Sequence, residues 1–186
     1  MTQDRTAQDK AAVRPGLLAA RREIVASRAR DSDDRVLADH VLALVAQLAL
    51  REGDTVAAYE SLRTEPPTAA TITALVSHGI RVVVPITLPD NDLDWCDATD
   101  DRCMPLGLDT ISAAGLVLTP GLAVDLVGTR LGRGGGSYDR ALSRRSSSAR
   151  VLVTLHPGEI HSVRLPHDNL DQPVDGALTV DGVIWF

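Results

Sequence analysis

At 186 residues the chain is long enough for one domain with a sizeable core and too short for a second independent domain to be expected. Hydrophobic residues make up 44% and charged residues 24%, an ordinary globular balance, and no run approaches the roughly 20 apolar residues of a membrane span. A net charge of -6 argues against broad nucleic-acid binding, and the polar start MTQDRTAQDK lacks the apolar core of a signal peptide, so a cytoplasmic protein without membrane or nucleic-acid partners is expected.

Residues 7–30 are predicted to be mostly helical, with Leu17, Leu18, Ile24 and Val25 spaced for one face. Lys10 and Arg14 stand four apart and share one side of a continuous helix, although Pro15 is tolerated only in a first turn or at a kink. Lys10 is the only lysine among 19 basic residues, a compact ammonium where every other cation is a planar fork. A second helix is predicted from Ser32 or Asp33, as cap, to Leu50, with Val36, Val41, Leu44, Val45 and Leu48 inward and Gly53 ending it. Thr55–Tyr59 reads as a buried strand, Glu60–Thr68 as a loop, Thr68–His78 as a helix stopped by Gly79, and Arg81–Ile86 as a strand. This βαβ succession implies parallel strands with a right-handed crossover. Glu60 and Glu65 then lie beyond a strand's C-terminal end, where open α/β sheets bind ligands.

Residues 87–112 resist assignment: they are acidic, interrupted by Pro89 and Pro105, and hold Cys96 and Cys103, whose spacing fits neither a zinc pair nor a CxxC redox motif. Leu93 and Trp95 are candidates either to pack on a flat ligand ring or to sit in a surface hairpin with one buried aromatic. Further on, Gly115–Leu118 is strand-like, Tyr138–Leu142 helical in pattern, Ser143–Ala149 a flexible polar connector, Arg150–Leu155 a strand, and Ala177–Thr179 and Val183–Phe186 short closing strands. Between them, Leu165–Asp175 carries Asp168, Asp171 and Asp175; turn formation is their ordinary reading, and a magnesium site shared with phosphate oxygens is the alternative. His40, His78, His156, His161 and His167 form no HExxH motif and no tight cluster.

The densest chemistry lies in Thr119–Leu142, where Gly132, Gly134, Gly135 and Gly136 alternate with Arg130 and Arg133 between a strand and a helix. Glycines admit positive φ and let backbone N–H groups approach a ligand, and a helix start adds further donors, an arrangement suited to a polyphosphate. No Lys follows the glycines, so this is not a Walker A loop, and Ser137 stands where a dinucleotide fingerprint needs its third Gly. From Arg130 to Arg150 six arginines meet the single acid Asp139, a local balance of +5 that fits a small polyanion better than a duplex. A loop that binds nothing is the alternative, disfavoured by the two interleaved arginines.

PGLAVD at 120–125, the Gly-x-Arg-Leu-Gly-x-Gly-Gly-Gly core from Gly128 to Gly136, and Tyr138-Asp139-Arg140 together closely resemble the signature of the 5-formyltetrahydrofolate cyclo-ligase family, also called methenyltetrahydrofolate synthetases. The resemblance runs from Lys10 to the last strand and weakens over 87–112, where a Glu-Pro element of the family is missing; Val124 and Ser137 stand where an aromatic and a second Tyr are common. It implies a single domain, 1–186, of three layers α/β/α around a mostly parallel sheet, in the architecture of sugar-phosphate isomerases and CoA transferases. It also implies a monomeric, ATP- and Mg²⁺-dependent ligase that closes 5-formyltetrahydrofolate to 5,10-methenyltetrahydrofolate and releases ADP and phosphate. By the same resemblance ATP is bound by Lys10, Arg14, Arg130, Leu131, Gly132, Arg133, Gly134, Gly135, Gly136, Ser137 and Tyr138. Folate is met by Glu65, by Glu60, by Arg133 and by Gly134 to Ser137. Asp139 and Asp171 position Mg²⁺, and Lys10, Arg133 and Tyr138 are the catalytic residues; no covalent nucleophile is expected. Two rivals remain: a folate or nucleotide binder of the same fold without turnover, and a sugar-phosphate isomerase-like enzyme, which needs a general-base carboxylate and no ATP.

Overall fold

The computed structural model describes residues 2–186. It begins with two helices, α1 (Thr2–Ala26) and α2 (Arg30–Gln47). α1 runs through Pro15, which removes one N–H from the ladder without ending the helix. The chain turns at residues 27–29, earlier than the sequence predicts, and Ala29 caps α2 without a side-chain bond. Ser32 and Asp33, the expected caps, lie inside the first turns; Asp33 instead accepts both the Nε and an Nη of Arg28, closing the corner from within the helix. α2 buries Leu37, Ala38, Val41, Leu44 and Val45, while Val36 is only half-buried.

Strand β1 (Thr55–Ala57), helix α3 (Ala69–Ser77) and strand β2 (Arg81–Thr87) form the expected βαβ unit, with β1 and β2 parallel. β3 (Leu93–Asp97) returns antiparallel on β2, and a short 3-10 turn, Leu108–Ala113, leads into β4 (Ala114–Pro120). β5 (Ala123–Asp125) and β6 (Arg130–Leu131) leave the main sheet, α4 (Ser137–Leu142) follows the glycine loop, and β7 (Arg150–Thr154), β8 (Ile160–His161), β9 (Gly176–Thr179) and β10 (Gly182–Trp185) complete the chain. The seven-stranded sheet has the order β10-β9-β7-β4-β1-β2-β3, parallel except at its two edge strands, and β6-β5-β8 form a small second sheet.

The period of two along each strand sorts the core onto two faces. Val82 and Val84, Leu116 and Leu118, and Leu152 pack with Leu37, Val41, Leu44 and Leu75 of α2 and α3. Val83, Val117, Val151 and Val153 pack on the other side with Ile111 and with Ala141 and Leu142 of α4. Full burial of each such Val or Leu contributes about 1.5–3 kcal/mol, and the result is the three-layer α/β/α arrangement expected.

The structure settles two readings that the sequence leaves open and corrects a third. Residues 87–112 hold a hairpin rather than a ligand-stacking aromatic: Trp95 is wholly buried in the core, because its place on β3 points it into the layer with Ile111, and only Leu93 reaches the cavity described below. Cys96 and Cys103, left without a role by their spacing, are joined in a disulfide across the loop after β3. The Ser143–Ala149 connector is anchored rather than loose, since Arg144 grips Asp92 at 2.7 and 3.1 Å and Arg145 donates to Gln172.

From β1 the chain moves one way along the sheet to β2 and β3, and from β4 the other way to β7 and β9. β1 and β4 therefore flank the switch point, where the loops after two neighbouring parallel strands diverge and leave a crevice.

Candidate active site

That crevice is a cavity of about 940 Å³, entered beyond the ends of β1 and β4, with Tyr59, Glu60, Pro120 and Gly121 on its walls. Every residue expected to bind ATP, folate or Mg²⁺, from Lys10 and Arg14 through Glu60, Glu65, the Arg130–Asp139 stretch and Asp171, lines this one volume. Asp175, the alternative to Asp171, lies outside it: it accepts the Val151 amide at 2.7 Å and serves the sheet where β7 meets β9.

α1 supplies one wall. Lys10 is buried to 8% exposure, and its Nζ donates to Asp168 at 2.8 Å and to both oxygens of Asp171 at 2.6 Å. Burial alone would lower the ammonium's pKa; the hydrogen bonds to Asp168 and Asp171 outweigh it and raise the value, while the same contact with Lys10 depresses Asp168. One turn further, Arg14 Nε donates to the Gly132 carbonyl at 3.0 Å. The two cations of the expected pair thus engage different partners, the carboxylate cluster and the glycine loop.

The glycine loop is held close. Gly134 has φ +114°, and a Cβ there would stand 3.2 Å from Arg14 Cζ, so only glycine fits both the backbone and the neighbour. α4 has only six residues, so its dipole is small, and the positive character of this wall comes from the loop amides and arginines instead. Arg130 is nearly buried, donating to Asp139 at 2.9 Å and to the Pro120 carbonyl at 3.2 Å, with its guanidinium 5.7 Å from the Tyr138 ring centroid. Its fork is thereby committed largely to the fold. Arg133 is the freer arginine, about half exposed, 3.5 Å from Glu65 and 3.4 Å from the Thr64 hydroxyl. Burial pushes the Tyr138 phenol well above its ordinary value, and its buried hydroxyl has no partner among the described residues, so it is a neutral group available to a ligand rather than a base.

Across the cavity, Glu65 is 5% exposed, with Oε2 accepting the Leu62 amide at 2.9 Å. The tip of the β2–β3 hairpin closes this side: Arg140 donates to the Asn91 carbonyl at 2.7 Å and to the Gly135 carbonyl at 3.0 Å, tying the hairpin to the glycine loop.

The sequence pattern of the 5-formyltetrahydrofolate cyclo-ligase family matches residues 6–180. The chain belongs to that family. Its curated relatives include the 5-formyltetrahydrofolate cyclo-ligase of Mycolicibacterium smegmatis, 31% identical over 140 residues that make up 62% of this chain and 72% of that protein. A mitochondrial cyclo-ligase of Arabidopsis thaliana is 35% identical over 78 residues, 37% of this chain and 28% of that one. In fold, the chain is similar to methenyltetrahydrofolate synthetases from Mycoplasma pneumoniae (TM-score 0.74, 20% identity, 92% of this chain and 99% of that one) and Aquifex aeolicus (TM-score 0.71, 21% identity, 95% and 92%).

Cyclo-ligase family membership raises the question of magnesium. Asp139 Oδ1 takes Arg130 and the Gln172 amide, and no hydrogen bond reaches its Oδ2 among the described residues; Asp171 is engaged by Lys10. Among the described residues no group of three or more His, Cys, Asp or Glu gathers that could hold a metal alone. This donor set fits an Mg²⁺ that arrives with phosphate oxygens and keeps waters, and does not fit a resident all-protein cage.

Sequence reasoning missed three groups here. Arg21, 1% exposed at the base of the cavity, holds Glu159 through two 2.6 Å bonds and the Gly121 carbonyl at 2.6 Å. His156 is buried, faces the Thr64 carbonyl at 3.2 Å, and is held below its ordinary pKa by that burial. Asp168, present among the loop carboxylates but not selected, is the second partner of Lys10. The Arg21–Glu159 pair spans 138 positions, and no local pattern announces it.

Proposed function

We propose that the chain catalyses ATP-dependent closure of 5-formyltetrahydrofolate to 5,10-methenyltetrahydrofolate, with ADP and phosphate released. The observation that supports this most is the convergence on one cavity of three unlike elements: a glycine loop flanked by Arg14 and Arg133, a buried carboxylate at Glu65, and the Lys10–Asp168–Asp171 cluster. A volume of about 940 Å³ leaves room for a nucleotide's phosphates beside a pterin.

The chemistry requires such a pairing. A formamide oxygen is a poor leaving group, so N10 cannot expel it directly. Transfer of the γ-phosphoryl group from ATP to that oxygen frees ADP and leaves the formyl carbon an iminium-like electrophile; N10 attacks it and gives up its proton to solvent, and the C–O bond breaks to release phosphate. The protein's task is placement and charge neutralisation. Arg14, Arg133 and the amides of Gly132 to Ser137 would hold phosphate oxygens, with Lys10 turning from Asp171 toward the transferring group. Arg130 would act mainly by fixing Asp139 and Tyr138, and the neutral Tyr138 hydroxyl would hydrogen-bond the formyl or phosphoryl oxygen. Glu65, with Glu60 nearby, would accept pterin N–H groups. Asp139 and Asp171 would hold Mg²⁺, which supplies charge neutralisation to the nucleotide phosphates. In this reading residues 1–186 work as one domain, as a monomer in the cytoplasm, on small-molecule substrates only. No helix among the described residues is long and apolar enough to cross a membrane.

The test is to mix purified protein with 5-formyltetrahydrofolate, ATP and Mg²⁺ and follow the absorbance of the conjugated methenyl product, omitting each component in turn. Product that needs all three supports the proposal. Tight folate binding with no product would favour a binder, and ATP-independent turnover of a sugar phosphate would favour an isomerase.

A further inference from the structure

The segment that carries Glu65 has no strand or helix to shape it, and its form comes from one side chain outside every motif of the sequence. Arg30, half-buried at the start of α2, donates through Nη1 to the carbonyls of Glu65 at 2.7 Å and Arg63 at 3.1 Å, and through Nη2 to the Ser61 hydroxyl at 2.8 Å and the Leu62 carbonyl at 3.4 Å. A single planar fork thus meets four acceptors within five consecutive residues, a geometry that a lysine ammonium cannot reproduce. Other supports are the Thr68 hydroxyl, which bridges the Ser61 amide and the Tyr59 carbonyl, His156 at the Thr64 carbonyl, the Leu62–Glu65 turn closed by the Glu65 carboxylate, and the long contacts of Arg133 with Thr64 and Glu65.

Helix electrostatics alone would not put Arg30 there. A cation in the first turn of a helix opposes the positive end of its dipole, and α2 otherwise carries acids, Asp31 and Asp33, in that turn. A local preference broken at one residue, and compensated by bonds to a loop 31 to 35 positions away, marks that loop as what the residue serves.

We propose that Arg30 is a positioning residue for the folate: it folds the Ser61–Glu65 segment into the one shape that turns the Glu65 carboxylate into the cavity. This rests on the reading that Glu65 receives the pterin. The nucleotide side, built on α1 and the glycine loop, takes no hydrogen bond from Arg30 among the described residues, so its loss is felt selectively.

The experiment compares the full chain with its Arg30→Ala, Arg30→Lys, Glu65→Ala and Arg30→Ala/Glu65→Ala variants, measuring KM for each substrate, kcat, and amide exchange across residues 60–65. Arg30→Ala raises KM for 5-formyltetrahydrofolate about tenfold or more, as loss of charge-assisted bonds would, while KM for ATP stays within about twofold. Arg30→Lys recovers little of the loss. In the Glu65→Ala background the Arg30 substitution adds less than about twofold, because its effect passes through Glu65. The Leu62 and Glu65 amides exchange about tenfold faster without Arg30, with the central sheet unchanged. Equal rises in both KM values, full multiplicativity with Glu65→Ala, or unaltered loop exchange would each overturn the proposal. Absence of turnover in the wild type would defeat the proposed activity instead, and the exchange measurement would still decide whether Arg30 shapes the loop.

Discussion

Replacing Arg21 by Met should unfold much of what holds α1 against the cavity. Arg21 is 1% exposed and Glu159 4% exposed, and the guanidinium occupies both carboxylate oxygens at 2.6 Å. Without it, Glu159 keeps, among the described residues, only the His156 amide, at 2.8 Å, as donor to a buried charge. Breaking one partner of such a pair costs about 3–5 kcal/mol, a large share of the roughly 5–15 kcal/mol that separates folded from unfolded chains. With a urea slope of about 2 kcal/mol/M, the denaturation midpoint should fall by roughly 2 M. Arg21→Met combined with Glu159→Gln should recover most of that loss, since a neutral pair leaves no orphaned ion. A midpoint shift below about 0.5 M for the single variant, or simple additivity in the double, would refute the claim that this pair is a buried, mutually dependent element.

Arg133→Ala and Asp139→Asn should each lower turnover by roughly 10²–10³-fold while thermal unfolding changes little for Arg133, which is about half exposed; wild-type rates in both would remove these residues from the chemistry. Gly134→Ala forces a Cβ onto a backbone at φ +114° and against Arg14, a strain of about 1–3 kcal/mol that should appear as a higher KM for ATP rather than for the folate. His156 is held below its ordinary pKa, so the unfolded chain takes up its proton first as pH falls. Stability should therefore be intact above about pH 6.5, the unfolded value, and decline below it until the depressed folded value is reached. Midpoints measured from pH 7 to 5 should show this slope in the wild type and a shallower one in His156→Asn.

The parts of the fold that were legible are those where local pattern and tertiary role agree. The β-branched run at Arg81–Ile86, the βαβ alternation and the closing strand β9 are legible because burial in the sheet leaves near-continuous apolar sequence, whereas β10, an exposed edge strand, is legible only by its β-branched residues and its place after a turn. The corner at 27–29 was misplaced because Ser32 and Asp33 look like caps, whereas Asp33 spends its carboxylate on Arg28. Trp95 was ambiguous because alternation alone cannot say which side of an edge hairpin is covered, and the disulfide of Cys96 and Cys103 depends on a turn that no spacing rule describes. At the site, the glycine loop was legible through composition, and Lys10 and Arg14 through the family pattern. The supports were not: Arg21, Arg30, Arg140 and His156 act through contacts with distant backbone carbonyls or with a partner far along the chain, which leave no periodic trace.

Transfer of a phosphoryl group to the formyl oxygen within this cavity is the step on which the proposed activity depends. It is tested most directly by supplying 5-formyltetrahydrofolate labelled with ¹⁸O in its formyl group and analysing the inorganic phosphate released. The label should leave with the phosphate, turnover for turnover with methenyl product. Label recovered in water, with unlabelled phosphate, would contradict it.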